Sequence, residues 1–156
     1  MDNFQLRIEI FDANYLNIVE LNTTGDNENY VKGDSESSYL QSEVFNLFIN
    51  CFENSNRLYE FYGATKYDIR KIVPLKNELN KKLQSLQNIH TLDEFKNHIK
   101  GIFLGSDFME KLNNHSKNWE QNWKIYLNKL IKVNEGLISI TQKCIDEQRI
   151  LWVIGY

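Results

Sequence analysis

An α+β fold, mostly helical, with four to five helices packed on a small antiparallel sheet, follows from three features of the 156-residue chain. The first residues alternate apolar and polar, the last eight hold an unbroken apolar run, and the stretch between them carries helical spacing. A sheet drawn from both ends of a chain must pair them, here as an N-terminal hairpin with a C-terminal strand. A chain of this length buries roughly 70% of the surface its unfolded form exposes, enough for one domain over residues 1–156 without a disulfide or a metal.

At a period of two, Phe4, Leu6, Ile8 and Ile10 share one face of a first strand. Asp12-Ala13-Asn14 has turn chemistry, and Tyr15 to Leu21 is rich in β-branched and aromatic residues, completing the hairpin. From Asn22 to Ser38 the chain is polar and holds Gly25 and Gly33, which marks a loop. Leu40, Val44, Leu47, Phe48, Cys51 and Phe52 then recur as one helical face, predicting a helix over 38–55 with Ser37 or Ser38 as its N-cap. Residues 57–72 fit neither period.

Pro74 suits the first turn of a helix, where its missing N–H is not needed, and Leu75, Leu79, Leu83 and Leu86 carry that helix to about Asn88. Thr91-Leu92-Asp93-Glu94 is a capping box, opening a helix lined by Phe95, Ile99, Ile102 and Phe103 that ends near Gly105. Ser106-Asp107 caps a short helix through Leu112. Trp119, Trp123, Tyr126, Leu130, Leu137, Thr141 and Ile145 lie on one long helical face, with Gly136 its weakest point. Five apolar residues from Ile150 to Ile154 then suit a strand covered on both faces.

The chain is 42% hydrophobic with 20 aromatic side chains, which excludes a disordered polymer. Asn occurs 20 times and Ala only at Ala13 and Ala64, the stamp of an AT-rich, expectedly bacterial, genome. With Asp2, Arg7, Glu9 and Asp12 among its first residues the chain shows no basic start followed by an apolar core, so a secretory leader is not expected. The longest uncharged run, Leu83 to Leu92, falls well short of the about 20 apolar residues a spanning helix needs. The expected location is cytoplasmic, off the membrane, where Cys51 and Cys144 on apolar helix faces act as small buried hydrophobes.

Catalytic patterns are sparse. The isolated glycines make no phosphate cradle, and no Ser or Cys sits in a nucleophile-elbow context. Asp93-Glu94 and Asp146-Glu147 are adjacent pairs, which on a helix diverge by about 100° and cannot share a substrate. Glu94 and His98 are spaced i and i+4, with His90 nearby, so a metal-dependent enzyme is one alternative. No third ligand accompanies them, and a solvated pair supporting the helix is the better explanation of the spacing. The expectation is therefore no catalytic residue and no cofactor.

Charge is more informative than its total of −3 suggests. Residues 1–60 hold 11 acids against Arg7, Lys32 and Arg57, while residues 61–156 hold 10 acids against 15 bases. Asp26, Glu28, Asp34, Glu36 and Glu43 crowd into one acidic stretch, with Tyr30 and Tyr39 as aromatic anchors. Tyr supplies interface area at low entropy cost and complementary charge raises association rates, so this surface suits a basic protein partner. One alternative is that the loop is simply solvated and neutralised by the chain's own basic helices. Those helices carry Lys76, Lys81, Lys82, Lys96, Lys100, Lys124, Lys129 and Lys132, interleaved with acids and with no Arg among them, which argues against nucleic acid.

A short acidic chain without catalytic motifs, carrying the acidic stretch Asp26 to Glu43, resembles the immunity proteins that neutralise bacterial toxins. The resemblance implies a protein that binds a cognate toxin, a basic nuclease for instance, with the acidic loop and its Tyr residues standing in for substrate phosphates. A second alternative is a self-associating structural module, a homodimer joined through Tyr59, Phe61, Tyr62 and Tyr67.

Overall fold

The computed structural model describes residues 6–12 and 17–155. The chain is α+β, with a four-stranded antiparallel sheet in the order β2-β1-β4-β3. Strands β1 (Ile18–Asn22), β2 (Ser38–Gln41), β3 (Gly63–Tyr67) and β4 (Leu151–Gly155) are joined through helices α1 (Ser42–Phe45), α2 (Ile49–Ser55), α3 (Ile69–Gln87), α4 (Leu92–Lys100), α5 (Gly105–His115) and α6 (Trp123–Glu147). Short 3₁₀ turns at Asn46–Phe48 and Trp119–Asn122 lead into α2 and α6.

The apolar C-terminal run forms β4, central between β1 and β3, with Leu151, Trp152, Val153 and Ile154 all buried. Both ends of the sheet-forming sequence meet there, as expected. The hairpin itself is different: β1 pairs with β2, Val19 opposite Leu40 and Glu20 opposite Tyr39, across a 15-residue loop. Residues 6–12 run beside β2 as an extended strap, with one bridge from Phe11 to Tyr39. Their alternation nevertheless persists in burial, since Leu6 and Ile8 enter the core while Glu9 is exposed. An amphipathic extended segment needs one covered face, and the strap finds that cover against the helices without joining a ladder. Phe4, Tyr15 and Leu16, and the Ala13-Asn14 part of the expected turn, lie outside the described residues.

Because side chains alternate across a strand, the sheet has two chemically distinct faces. Val19, Leu21, Leu40, Tyr67, Leu151 and Val153 join the helices in one contiguous core that includes Phe45, Phe48, Phe52, Leu75, Leu79, Phe95 and Leu137. The opposite face carries Ile18, Glu20 and Asn22 of β1, Tyr39 of β2, Trp152 and Ile154 of β4, and Lys66 of β3. Phe11, Ile18 and Tyr39 form a small second cluster there.

The helix predicted over 38–55 begins instead as strand β2, because Tyr39 and Leu40 are claimed by the sheet before the helical face starts at Val44. Residues 57–72 resolve into a turn, edge strand β3 and the start of α3, a change of element that explains why no single period fits. Pro74 is the sixth residue of α3, beyond the first turn, and lies on its exposed side. Asp68 is the N-cap, accepting from the Arg70 amide at 3.0 Å. Half of the expected capping box forms at Thr91: its hydroxyl accepts from the Glu94 amide at 3.1 Å, while Glu94 Oε1 accepts from that same hydroxyl at 3.1 Å in place of the expected bond to the Thr91 amide.

Helix α4 stops at Lys100, and α5 opens at Gly105 after Leu104 in the left-handed region at φ 66°. Ser106 and Asp107 lie inside α5 and do not cap it. A Cβ on Gly105 would sit 2.0 Å from the Ile99 carbonyl oxygen, so this turn needs glycine for close approach. Gly105→Ala should lower the thermal midpoint by about 3 °C, equivalent to about 1 kcal/mol in a chain of this size. An unchanged midpoint in calorimetry would show that the turn yields freely. Gly136 lies within an unbroken α6, where a Cβ would fall 2.6 Å from Ile10 Cδ1, so its bare backbone seats the strap.

Candidate functional site

The acidic loop, residues 23–37, lies over the second face of the sheet and is held there by side chains that point out of it. Asn22 is fully buried and central. Its Nδ2 lies 3.0 Å from Thr24 Oγ1, the Val31 carbonyl and Ser37 Oγ, while its Oδ1 accepts from the Gly25 and Val31 amides at 3.1 and 3.2 Å. Glu20, also fully buried, accepts from the Gly33 amide at 2.8 Å. Trp152 donates its indole N–H to the Asp26 carbonyl at 2.8 Å, and the Tyr30 ring packs on it with centroids 5.5 Å apart. Lys66 reaches from β3 to the Asn27 carbonyl and side-chain oxygens at 3.1 and 2.9 Å. Four residues on three strands thus fix the loop's path. A buried amide or carboxylate has to find partners, and here the loop backbone supplies them.

The loop also braces itself. Asp26 Oδ1 accepts from the Glu28 and Asn29 amides at 2.8 and 2.7 Å, and Asp34 Oδ1 accepts from the Glu36 amide at 2.7 Å. These are Asx turns, in which a short acidic side chain substitutes for a backbone acceptor. The Asn29 amide, then the Glu28 amide, hold the Asp26 carboxyl below its usual range. Asp26, Glu28 and Glu36 are exposed, Asp34 is half-buried, and Tyr30 shows 38% of its surface. Arg149, after α6, lies 3.7 Å from Glu36 and partly offsets the acidity.

Two of the seven expected contact residues are placed elsewhere. Tyr39 is only 3% exposed, stacked against Phe11 at 6.2 Å, so it is a core residue and not an anchor. Burial, with the Glu20 charge added, pushes its phenol upward. Glu43 lies in α1, where its Oε1 pairs with Lys111 of α5 at 2.7 Å. The acidic stretch is therefore contiguous in sequence but divided in space, because β2 carries the chain away from the loop before Glu43. The remaining five, Asp26, Glu28, Tyr30, Asp34 and Glu36, stay together.

Glu94 and His98 face different tasks: Glu94 closes the Thr91 cap, and His98 Nε2 lies 2.8 Å from Lys82 Nζ. Among the described residues no three His, Cys, Asp or Glu side chains converge as metal ligands. Of the four aromatic residues considered for self-contact, Tyr67 is fully buried and donates to the Phe52 carbonyl at 2.6 Å. Tyr59 packs on Phe45 and Phe52, which leaves Phe61 and Tyr62 at the surface.

The Lys82 and His98 pair is one that sequence reasoning missed. Lys82 of α3 lies between Cys51 of α2 and His98 of α4, with its Nζ 5.7 Å from the centre of the Phe48 ring. Burial pulls Lys82 down to about 8, and burial with the Lys82 charge pulls His98 down to about 4. Both thiols are free and buried, and burial pushes each up to about 11, so neither is a ready nucleophile.

No protein family, curated protein or solved structure matches this chain. Function rests on the geometry alone. Among the described residues no helix is long and apolar enough to cross a membrane.

Proposed function

We propose that this chain is a non-enzymatic binding protein that meets a basic protein partner through loop 23–37, in the manner of a toxin-neutralising immunity protein. The observation that carries the reading is that the acidic loop is pinned by Glu20, Asn22, Lys66 and Trp152 while Asp26, Glu28 and Glu36 stay exposed. A loop ordered before binding loses less conformational entropy when a partner docks, so each contact contributes more to affinity. Asp26, Glu28, Asp34 and Glu36 supply charge for steering, and Tyr30, backed by Trp152, supplies a rigid aromatic surface.

The two sides of the sheet also differ in character. The acidic loop covers one side, and the Lys-bearing helices α3 to α6 pack on the other. A partner with a basic active-site cleft would be drawn to the first and repelled by the second, which fixes orientation during encounter.

Reversing Glu28 and Glu36 to Lys together, which leaves the bracing carboxylates of Asp26 and Asp34 in place, tests this reading against the protein encoded beside its gene. The wild type should form a salt-sensitive complex, and the reversed variant should associate about tenfold or more slowly with its own folding midpoint little changed. A complex that forms equally fast after reversal, or no complex at all, would exclude the reading.

A further inference from the structure

We infer that Lys82 is a modification site: its amine takes an acyl group directly from a small activated donor, an acyl phosphate or an acyl thioester, and His98 accepts the proton released. The two side chains come from different helices, Lys82 from α3 and His98 from α4, and meet with Nζ 2.8 Å from Nε2. Both residues are half-buried, so each is drawn in from water while keeping part of its surface exposed.

The surroundings of Lys82 set it apart from lysines that have a counter-charge. Lys81, Lys96 and Lys111 pair with Glu78, Glu120 and Glu43 at 3.5, 2.9 and 2.7 Å. Among the described residues no carboxylate lies within ion-pair distance of Lys82 Nζ. Glu78, the nearby acid on its own helix, is engaged by Lys81. What faces the amine is the His98 imidazole from α4, the Cys51 thiol from α2 and the ring of Phe48, whose centre is 5.7 Å from Nζ. A ring face and a neutral imidazole return only part of the hydration an ammonium loses, so the uncharged amine gains. At about 8 against the usual 10.5, about a quarter of Lys82 is free amine at about pH 7.5, where an ordinary lysine is about one part in a thousand. Only the free amine carries the lone pair that attacks carbon.

An acyl group is the class that fits this place. The Lys82 lone pair attacks the acyl carbon and forms the C–N bond. The bond from that carbon to the phosphate oxygen or the thioester sulfur breaks, and its electron pair leaves on the departing group. The nitrogen's proton passes to His98 Nε2, within hydrogen-bond reach, and on to water. The imidazole becomes a better base at that moment, because the Lys82 charge that lowers it is gone. The amide product is neutral, keeps one N–H to donate to Nε2, and removes an unpaired charge from between three helices. A carbamate formed from carbon dioxide would instead trade one unpaired charge for another. Cys51 does not compete for the acyl group, since burial pushes its thiol up to about 11 and keeps it protonated.

The test treats the full chain with acetyl phosphate, and in parallel with S-acetyl-N-acetylcysteamine, at about pH 7.5 and follows the occupancy of each lysine by peptide mass spectrometry. Lys82 should acetylate at least about tenfold faster than the exposed Lys100 and Lys117, and that lead should vanish in concentrated urea. The donor that gives Lys82 the larger lead over those two lysines identifies the source of the acyl group. The Lys82 rate should rise with pH to a plateau, half-reached near pH 8. His98→Gln keeps an acceptor oxygen for the amine but cannot take its proton, so the plateau should fall about tenfold with the midpoint of the profile little moved. The wild-type comparison stands without any variant. Acetylation of Lys82 no faster than that of Lys100 and Lys117 from both donors, or a lead that survives in urea, would overturn the site. An unchanged plateau in folded His98→Gln would overturn the role given to His98.

Discussion

Asn22→Ala is expected to destabilise the fold by about 3 kcal/mol and to release loop 23–37 from the sheet. A typical hydrogen-bond deletion costs less, so the size needs a cause. Asn22 is fully buried and serves five groups at once, Thr24, Gly25, Ser37 and both backbone groups of Val31. Ala supplies none of these contacts and leaves the Ser37 hydroxyl, itself only 2% exposed, in a dry pocket without its amide partner. The loop can recover water for its backbone only by lifting away, which exposes Trp152 and Tyr30. Urea denaturation measures the stability loss. Hydrogen exchange at the Gly25, Val31 and Gly33 amides should accelerate well before global unfolding, because a segment held by few contacts opens sub-globally. If those amides stay protected while overall stability falls, the loop is held by Trp152 and Lys66 and Asn22 is not its anchor. A released loop should also associate with its partner more weakly, which ties this result to the proposed binding role.

The central strand, the helical faces and the Thr91 cap are legible from sequence because each is a local pattern whose period matches its environment. The run Leu151 to Ile154 is apolar throughout since it is covered on both faces, and no other reading fits so short a segment. The failures share a different cause. Tyr39 and Leu40 read as the start of a helix because their spacing to Val44 is helical, yet pairing with Val19 and Glu20 outweighs that preference. Residues 6–10 alternate as a strand does, but whether an alternating segment joins a ladder depends on neighbours distant in sequence. For the site, the acidic stretch shows in composition, whereas its division is three-dimensional: Glu43 leaves the loop, and Glu20 and Asn22 join it from β1. A buried Glu and Asn inside the β-rich segment IVELN were a usable signal. Alternation there places both on one face with Ile18, and polar groups on a covered face demand partners. Lys82 offered no such signal, since a Lys within a helix ordinarily faces solvent.

Lys82→Met should stabilise the protein, by about 2 kcal/mol at neutral pH, a direction opposite to most substitutions at half-buried positions. The ammonium of Lys82 is drawn out of water between α2, α3 and α4, where Phe48, Cys51 and His98 surround it and Glu78 lies one turn away on α3. Its compensation is a hydrogen bond to a neutral imidazole and a ring face, neither of which returns the full hydration of a charge. Met keeps the unbranched shape and the contact with Phe48 while removing the charge. The pH dependence identifies the cause. Lys82 binds its proton less tightly folded, at about 8 against 10.5 for the unperturbed group, so the unfolded chain holds more protons between those values and stability rises with pH across that window. Cys51 and Cys144, pushed from 9.0 up to about 11, act in the opposite sense above pH 9 and mask the rise in the wild type alone. The difference between variant and wild type cancels both thiols to first order. It should be full below pH 8 and shrink steadily toward pH 10.5. On the acid side, His98 is lowered from 6.5 to about 4, so its contribution is lost as pH falls through that interval. Removing the Lys82 charge takes away part of that depression, and the His98 ring protons should then titrate closer to 6.5 by NMR. A variant less stable than wild type at pH 7, or a stability difference flat from pH 8 to 10.5, would show that the ammonium is well solvated and that His98 is lowered by burial alone.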